Sequence, residues 1–306
     1  MVFRTLILCA LVQLAVAAPK IVLTNDDGWA VAHIRAQYSA LEAAGYDVIL
    51  SAPAQNESGT GSSSKTATTL TSACEYNSCP KGSPAEGSDP SNDKLNYVNA
   101  YPADSANFGI KTLAPDLFGS APDFVVSGPN VGANIGIATT LSGTVGAASA
   151  AVIAGIPSIA VSGSTGSQVS YTTLTSDPSS ANSQAAQIYS QATLRLVNAL
   201  LAGSKPYLPS GVSLNVNYPP ISSACASGDD FQFVLSRIYN NIFVDDVNTC
   251  GSKHLPSEND VVTASGCYAS VSPFIASKDL IKSEASVADQ ATVISKLSSI
   301  ITCLPS

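Results

Sequence analysis

Short apolar runs of strand length alternate with stretches of helical periodicity along most of this chain. A succession of that kind can satisfy its backbone and bury its faces in few ways. Residues 21–24, 47–51, 123–126, 158–162 and 213–217 read as strands. Between the first two, Val31, Ile34, Tyr38 and Leu41 recur at helical spacing, and Gly45 stands where a helix C-cap belongs. A small-residue helix is expected over 143–154, ended by Gly155-Ile-Pro157, and a long amphipathic helix over 180–202, capped by Gly203. This βαβα order predicts an α/β fold, a mostly parallel sheet with helices on both faces. Residues 60–96, rich in Ser, Thr, Gly and Pro, have no sustained period and read as an extended loop or hairpin insertion. From 228 to 306 shorter strand-like runs take over, which predicts an antiparallel appendage ending in a helical stretch over 284–302.

The N-terminus has the build of a secretory signal peptide. Arg4 precedes an apolar run from Leu6 to Val16, and Ala15-Val-Ala17 is a small-x-small cleavage site. Cleavage after Ala17 leaves residues 18–306 as one domain. No later apolar run is long enough to span a bilayer, so the product is expected to be secreted, released or held in the cell wall, with vacuolar delivery as an alternative. Cysteine usage agrees: Cys9 leaves with the signal, and Cys74, Cys79, Cys225, Cys250, Cys267 and Cys303 remain. An even set in a secreted chain predicts disulfides, with Cys74 and Cys79 closing a small loop and the other four stapling the tail. Zinc spacing is absent, and the two histidines, His33 and His254, read as a helix-surface residue and a loop residue without a role.

Composition removes further classes. With 45% hydrophobic and 12% charged residues the chain is the opposite of a disordered one. A net charge of -8, which becomes -9 when Arg4 leaves, argues against nucleic-acid binding through a basic surface.

In open α/β sheets ligands bind beyond the carboxyl ends of the strands. There the sequence places Asn25-Asp-Asp-Gly28, then Gln55-Asn-Glu-Ser58, then Ser127-Gly-Pro-Asn130 with Asn134 among glycines, and Ser142-Gly-Thr144 opening a helix. Two carboxylates, a hydroxyl and an amide carbonyl are hard oxygen donors, suited to one divalent metal, Mg²⁺ or Mn²⁺, with Ca²⁺ less favoured. A helix opening on Ser-Gly-Thr suits an anion such as phosphate. Each cluster also has a plain reading: Asp-Gly as a turn, the asparagines as left-handed positions, Ser142 and Thr144 as N-caps. Their convergence on one edge favours the reading as a phosphoryl hydrolase.

Thr24-Asn-Asp-Asp-Gly28, Ser127-Gly-Pro-Asn-Val-Gly-Ala-Asn-Ile-Gly136 and Ser142-Gly-Thr-Val-Gly146 together resemble the SurE-like survival-protein family, as do Gly155–Ser162, Leu214–Asn217 and Gly266–Pro273. The resemblance implies a Rossmann-like core with a C-terminal hairpin and tail used in homodimer contacts. It also implies a metal-dependent phosphatase of the 5'(3')-nucleotidase and acid phosphatase type, acting on small phosphomonoesters such as nucleotides. The family's metal ligands fall on Asp26, Asp27, Ser58 and Asn130, and its phosphate-side groups on Ser142, Thr144 and Asn134. The expected chemistry is attack by a water activated at the metal, with an aspartyl-phosphate on Asp26 as the other route. Two departures stand out. Ser62 and Leu141 occupy positions where bacterial members often carry histidine, so leaving-group protonation falls to water or a carboxylic acid. The cysteine-bearing insertion is not part of the short bacterial pattern and is expected to reshape the substrate mouth.

Two other classes compete. A catalytically silent binding protein on the same scaffold would be expected to lose ligand residues, and a serine hydrolase would need a Gly-x-Ser-x-Gly elbow that this chain lacks. Asn56-Glu-Ser58 is the only standard N-glycosylation sequon of the mature chain, and its Ser58 is a proposed ligand. Asn56 is therefore expected to stay unmodified.

Overall fold

The computed structural model describes residues 18–279 and 281–305, so the signal-peptide expectation lies outside the described residues. In chain order the elements are β1 (Lys20–Thr24), α1 (Ala32–Ala43), β2 (Asp47–Pro53), β3 (Glu86–Asp89), β4 (Asn92–Val98), α2 (Pro102–Phe108), α3 (Ala114–Phe118) and β5 (Phe124–Val131). There follow α4 (Gly143–Ile153), β6 (Ser158–Gly163), α5 (Thr173–Ser176), α6 (Ala181–Leu201), β7 (Val212–Tyr218), β8 (Gln232–Leu235), α7 (Glu258–Val262), β9 (Tyr268–Ile275), β10 (Ser283–Glu284), α8 (Val287–Lys296) and β11 (Ile301–Thr302).

All strands join one sheet in the order β11-β8-β9-β7-β6-β5-β1-β2-β4-β3, with β10 beside β9. From β7 to β4 the pairs are parallel. Period-2 alternation explains the layers. Ile21 and Leu23 of β1 enter the large core with Ile34, Leu41, Tyr189, Leu196 and Leu200 of α1 and α6. Val22, between them, points the other way, into a smaller core with Val125, Ile110 and Ala151 of α4. Helices therefore cover both faces, as the βαβα order predicts. Burying each large aliphatic side chain of α6 stabilises this packing by about 1.5–3 kcal/mol. Ser180 caps α6 by accepting from the Ser183 N–H at 3.3 Å, and α1 ends with Gly45 at φ 91°.

The C-terminal region continues the sheet. β9 runs antiparallel to β7 and to β10, the expected antiparallel part. β8 and β11, by contrast, pair parallel with β9 and β8. The helix expected over 284–302 is confined to α8, because residues after Leu297 turn and extend into β11. The insertion is not all loop: β3 and β4 form an antiparallel hairpin, and β4 extends the parallel sheet beside β2. Disulfides join Cys74 to Cys79, Cys225 to Cys267 and Cys250 to Cys303.

Candidate active site

The site lies where β1, β2 and β5 end. β1 stops at Thr24, opposite Ser127 of β5, but β5 continues to Val131 and runs past the next residues. The turn that follows β1 is closed by Asn25, whose side chain accepts from the Gly28 N–H (3.2 Å) and donates to the Gly28 carbonyl (3.1 Å). The plain turn reading of Asn-Asp-Asp-Gly is thus correct, and the turn is also what presents Asp26 and Asp27. Both are buried.

Asp26 accepts from the Thr144 hydroxyl at 2.7 Å. Burial raises its carboxyl, while the Thr144 hydroxyl and the backbone N–H groups of Thr144 and Gly143 at the start of α4 pull it back. A Cβ on Gly143 would stand 2.7 Å from the Asp26 Cβ, so only glycine lets the helix come this close. Burial and then the charge of Asp26 push Asp27 well above the ordinary carboxylate range, against donation from the Val131 N–H (2.8 Å) and Gln168.

Two buried carboxylates side by side need a counter-charge. Among the described residues neither is paired with Lys, Arg or His. A third carboxylate approaches them: Glu75 Oε2 is buried without a hydrogen-bond partner, and burial pushes the Glu75 carboxyl up to about 7. Such a field fits a hard cation. Among the described residues no three His, Cys, Asp or Glu side chains form a metal cluster by themselves, and the neutral oxygen donors expected beside the aspartates are those of Asn130 and Ser58. Asn130 is buried at the end of β5, and its amide nitrogen donates to the Gly132 carbonyl at 2.6 Å, which leaves Oδ1 as the acceptor. Ser58 is exposed and makes no direct bond to either aspartate; its N–H and O–H both donate to Asn56 Oδ1, at 2.8 and 2.7 Å. It reaches Asp27 through a chain: Asn56 Nδ2 donates to Gln168 Oε1 (2.8 Å), and Gln168 Nε2 to Asp27 Oδ1 (2.5 Å).

The residues expected on the phosphate side are also brought to this edge. Ser142 Oγ caps α4 by accepting from the Val145 N–H at 3.1 Å, so its own proton is free to donate. Thr144 spends its proton on Asp26. Asn134 is held on several sides. Its N–H donates to Asn217 Oδ1 (2.8 Å), its carbonyl accepts from Asn215 (2.8 Å), and its side chain donates to Ser162 Oγ (2.8 Å). Buried Glu258 supports the same segment, accepting from the Gly136 N–H at 3.0 Å and from Asn215 at 2.6 Å. Of the two positions without histidine, Leu141 is exposed and Ser62 Oγ accepts from the Lys282 ammonium at 3.2 Å.

Sequence reasoning missed Gln168, Glu75, Lys282 and the Asn215–Asn217–Glu258 support. Asn215 and Asn217 carry a signal, two amides on one face of an otherwise apolar strand; the loop residues carry none. The reading of His33 is corrected. It is fully buried against Tyr189, and burial lowers it to about 4, so it stays neutral inside α1. His254 is an exposed loop residue as expected.

The family model described as survival protein SurE matches residues 21–241. An acid phosphatase of Yarrowia lipolytica is 35% identical over 82% of this chain and 78% of its own length. The 5'-nucleotidase SurE of Lawsonia intracellularis is 32% identical over 66% of this chain and 67% of its own. A crystal structure of the Sure protein from Aquifex aeolicus covers 85% of this chain and 94% of that one at a TM-score of 0.60 and 23% identity, a likeness of fold. Together with the Asp-Asp turn, the Asn130–Asn134 segment and the Ser142–Thr144 helix start on one sheet edge, these matches make the chain a member of the SurE survival-protein family.

Proposed function

We propose that this chain is a phosphomonoester hydrolase for small phosphate esters, nucleotides among them, working with one divalent cation, Mg²⁺ or Mn²⁺. The observation that carries the reading is the pair of buried aspartates without a cationic partner at the opening of α4. Asp26, Asp27, Ser58 and Asn130 would hold the cation. When bound, it supplies Lewis-acid polarisation of the phosphoryl oxygens and a more acidic water. Thr144 and Gln168 orient the two carboxylates through their hydrogen bonds. The free Ser142 proton is placed to donate to a phosphate oxygen as charge builds on it. Asn134, fixed by Asn215 and Asn217, keeps the loop between β5 and α4 in register with the aspartates.

The test is phosphate release from p-nitrophenyl phosphate and a nucleotide panel, with and without EDTA, in wild type and Asp27→Asn. Activity that survives both chelation and the substitution ends the metal reading. No phosphatase activity with any divalent metal at any pH would favour a silent binding protein.

Secretion belongs to the same reading. Three disulfides support folding in an oxidising compartment, and among the described residues no helix is long and apolar enough to cross a membrane. Recovery from the culture medium with an N-terminus at Ala18 tests it. The hydrogen bond from Asn56 Nδ2 to Gln168 supports an unglycosylated Asn56; glycopeptide mapping with high occupancy would sink that. A homodimer through the C-terminal extension is tested by light scattering, and exposed Ile242, Phe243 and Val244 in that extension support it.

A further inference from the structure

The Cys74–Cys79 loop stands at the mouth of the site. It is pinned from several directions. The Cys74 N–H donates to the Cys79 carbonyl (2.9 Å), the Glu75 N–H to the Ala54 carbonyl just past β2 (3.1 Å), and Gln55 Nε2 to the Ala73 carbonyl (2.5 Å). Inside it the Glu75 carboxylate comes so close to the Asp-Gly turn that a Cβ on Gly28 would lie 2.3 Å from Oε2.

Between these anchors Tyr76 is held at φ 54°, ψ 25°, a left-handed conformation that a β-substituted residue rarely adopts, and Asn77 follows at φ 56°. Burial alone does not explain a strained tyrosine here, because 41% of it is exposed. Its phenol feels the site: it is raised by partial burial and then by the negative charges of Glu75 and Asp27. A partly exposed aromatic residue is thus carried on a covalently closed loop whose neighbouring Glu75 abuts the Asp-Gly turn of the site. The anchors that hold this strained conformation keep an aromatic residue at the mouth of the site, and strained residues of this kind cluster at ligand sites.

We propose that Tyr76 is the leaving-group platform, stacking on the planar aromatic moiety of a phosphomonoester and selecting esters that carry one. This rests on the phosphatase reading of the Asp26–Asp27 edge and names its substrate class. Stacking of an aromatic side chain on a base or aryl ring tolerates many rings, because each has a π-face.

The experiment compares wild type, Tyr76→Phe, Tyr76→Ala and Tyr76→Gly on AMP, p-nitrophenyl phosphate and glycerol 2-phosphate, with retention of the Cys74–Cys79 disulfide checked by mass. Glycine accepts the left-handed turn and so separates loss of the ring from damage to the loop. The expected result is a ratio of kcat/KM, ring-bearing over glycerol ester, that falls about tenfold in the Ala and Gly variants, mainly through KM, and is kept in Phe. AMP and p-nitrophenyl phosphate show separately whether a nucleobase or an aryl ring is the better occupant. A ratio unchanged in the Gly variant overturns the proposal. Should wild type hydrolyse none of the three, the phosphatase reading fails. Calorimetric binding of AMP and of inorganic phosphate with Mg²⁺ then decides Tyr76 independently. A preference for AMP that disappears in the Gly variant supports the platform, and no preference in wild type overturns it.

Discussion

Gly146 offers the sharpest perturbation of the site from outside it. A Cβ there would lie 1.9 Å from the Gly61 carbonyl oxygen and 2.5 Å from its carbon. Real Cβ contacts stay beyond 3.0 Å, so Gly146→Ala must push the 59–62 segment away by roughly 1 Å, since α4 is packed between β5, β6 and α2 and cannot retreat as easily. The displaced segment is coupled to the proposed ligand Ser58: Thr60 Oγ1 donates to the Glu57 carbonyl at 2.7 Å, and the Glu57 N–H to the Asp26 carbonyl at 2.8 Å. Overpacking of this size costs about 1–3 kcal/mol of stability, whereas misplacing a catalytic group by about 1 Å costs on the order of 100-fold in rate. Activity should therefore fall about 100-fold at 25 °C while the protein remains folded by circular dichroism and urea titration. Ser149→Ala, on the same helix, is the control: Ser149 is buried, and its hydroxyl has no partner to lose. The reasoning is refuted if Gly146→Ala keeps kcat/KM within threefold of wild type while the Ser149→Ala control behaves as expected.

Three further outcomes follow from other contacts. Thr144→Val removes the donor that holds Asp26, and the metal concentration giving half-maximal activity should rise about tenfold or more; an unchanged midpoint in a metal titration would contradict the assigned role. His33 has a folded value of about 4 against 6.5 in the unfolded chain, so the unfolded state binds the extra proton between them. Its stability contribution is complete above pH 6.5 and is lost as pH falls to 4, ~3 kcal/mol in all. Urea midpoints should drop over that window, and His33→Leu should flatten the drop. Replacing Cys250 and Cys303 together by serine opens a loop whose ends are 53 residues apart. The expected loss is about 4 kcal/mol by loop entropy, read as a lower denaturation midpoint.

What could be read from the sequence was what local periodicity encodes. Ile34, Tyr38 and Leu41 lie on the buried side of α1 with buried Val31 at its N-cap, and the apolar runs ending at Thr24, Val126 and Asn217 lie in the central strands. Their carboxyl ends place Asp26, Asp27, Asn130 and Asn134 on one edge without any knowledge of side-chain contacts. The rest depended on contacts between distant segments. α2 and α3 have too few apolar positions to show a period, although Pro102 and Pro115 near their starts are an available signal. β8 and β11, of four and two residues, are strands only because β9 is there to receive β8, and β8 in turn to receive β11. Gln168 and Glu75 reach Asp27 from loops 141 and 48 residues away in sequence, separations that neither spacing nor composition encodes. His33 was misread because a polar residue in a helix is ordinarily on its wet side, and here both α6 and the loop at Gly166 close over it.

The order of strands also sets a schedule. The half of the sheet from β3 to β7 is made of segments that leave the ribosome first, while the other edge is built outward from β7 by β9, β8 and finally β11. β8 is synthesised before β9 but cannot pair until β9 has docked on β7, and its far side stays unpaired until residues 301 and 302 arrive. Until those residues are made the growing chain therefore carries an open edge, the kind that invites a second strand. The last cysteine lies one residue beyond β11. Its bond to Cys250 clasps the strand that covers that edge, so the same link that closes the tail also seals the sheet.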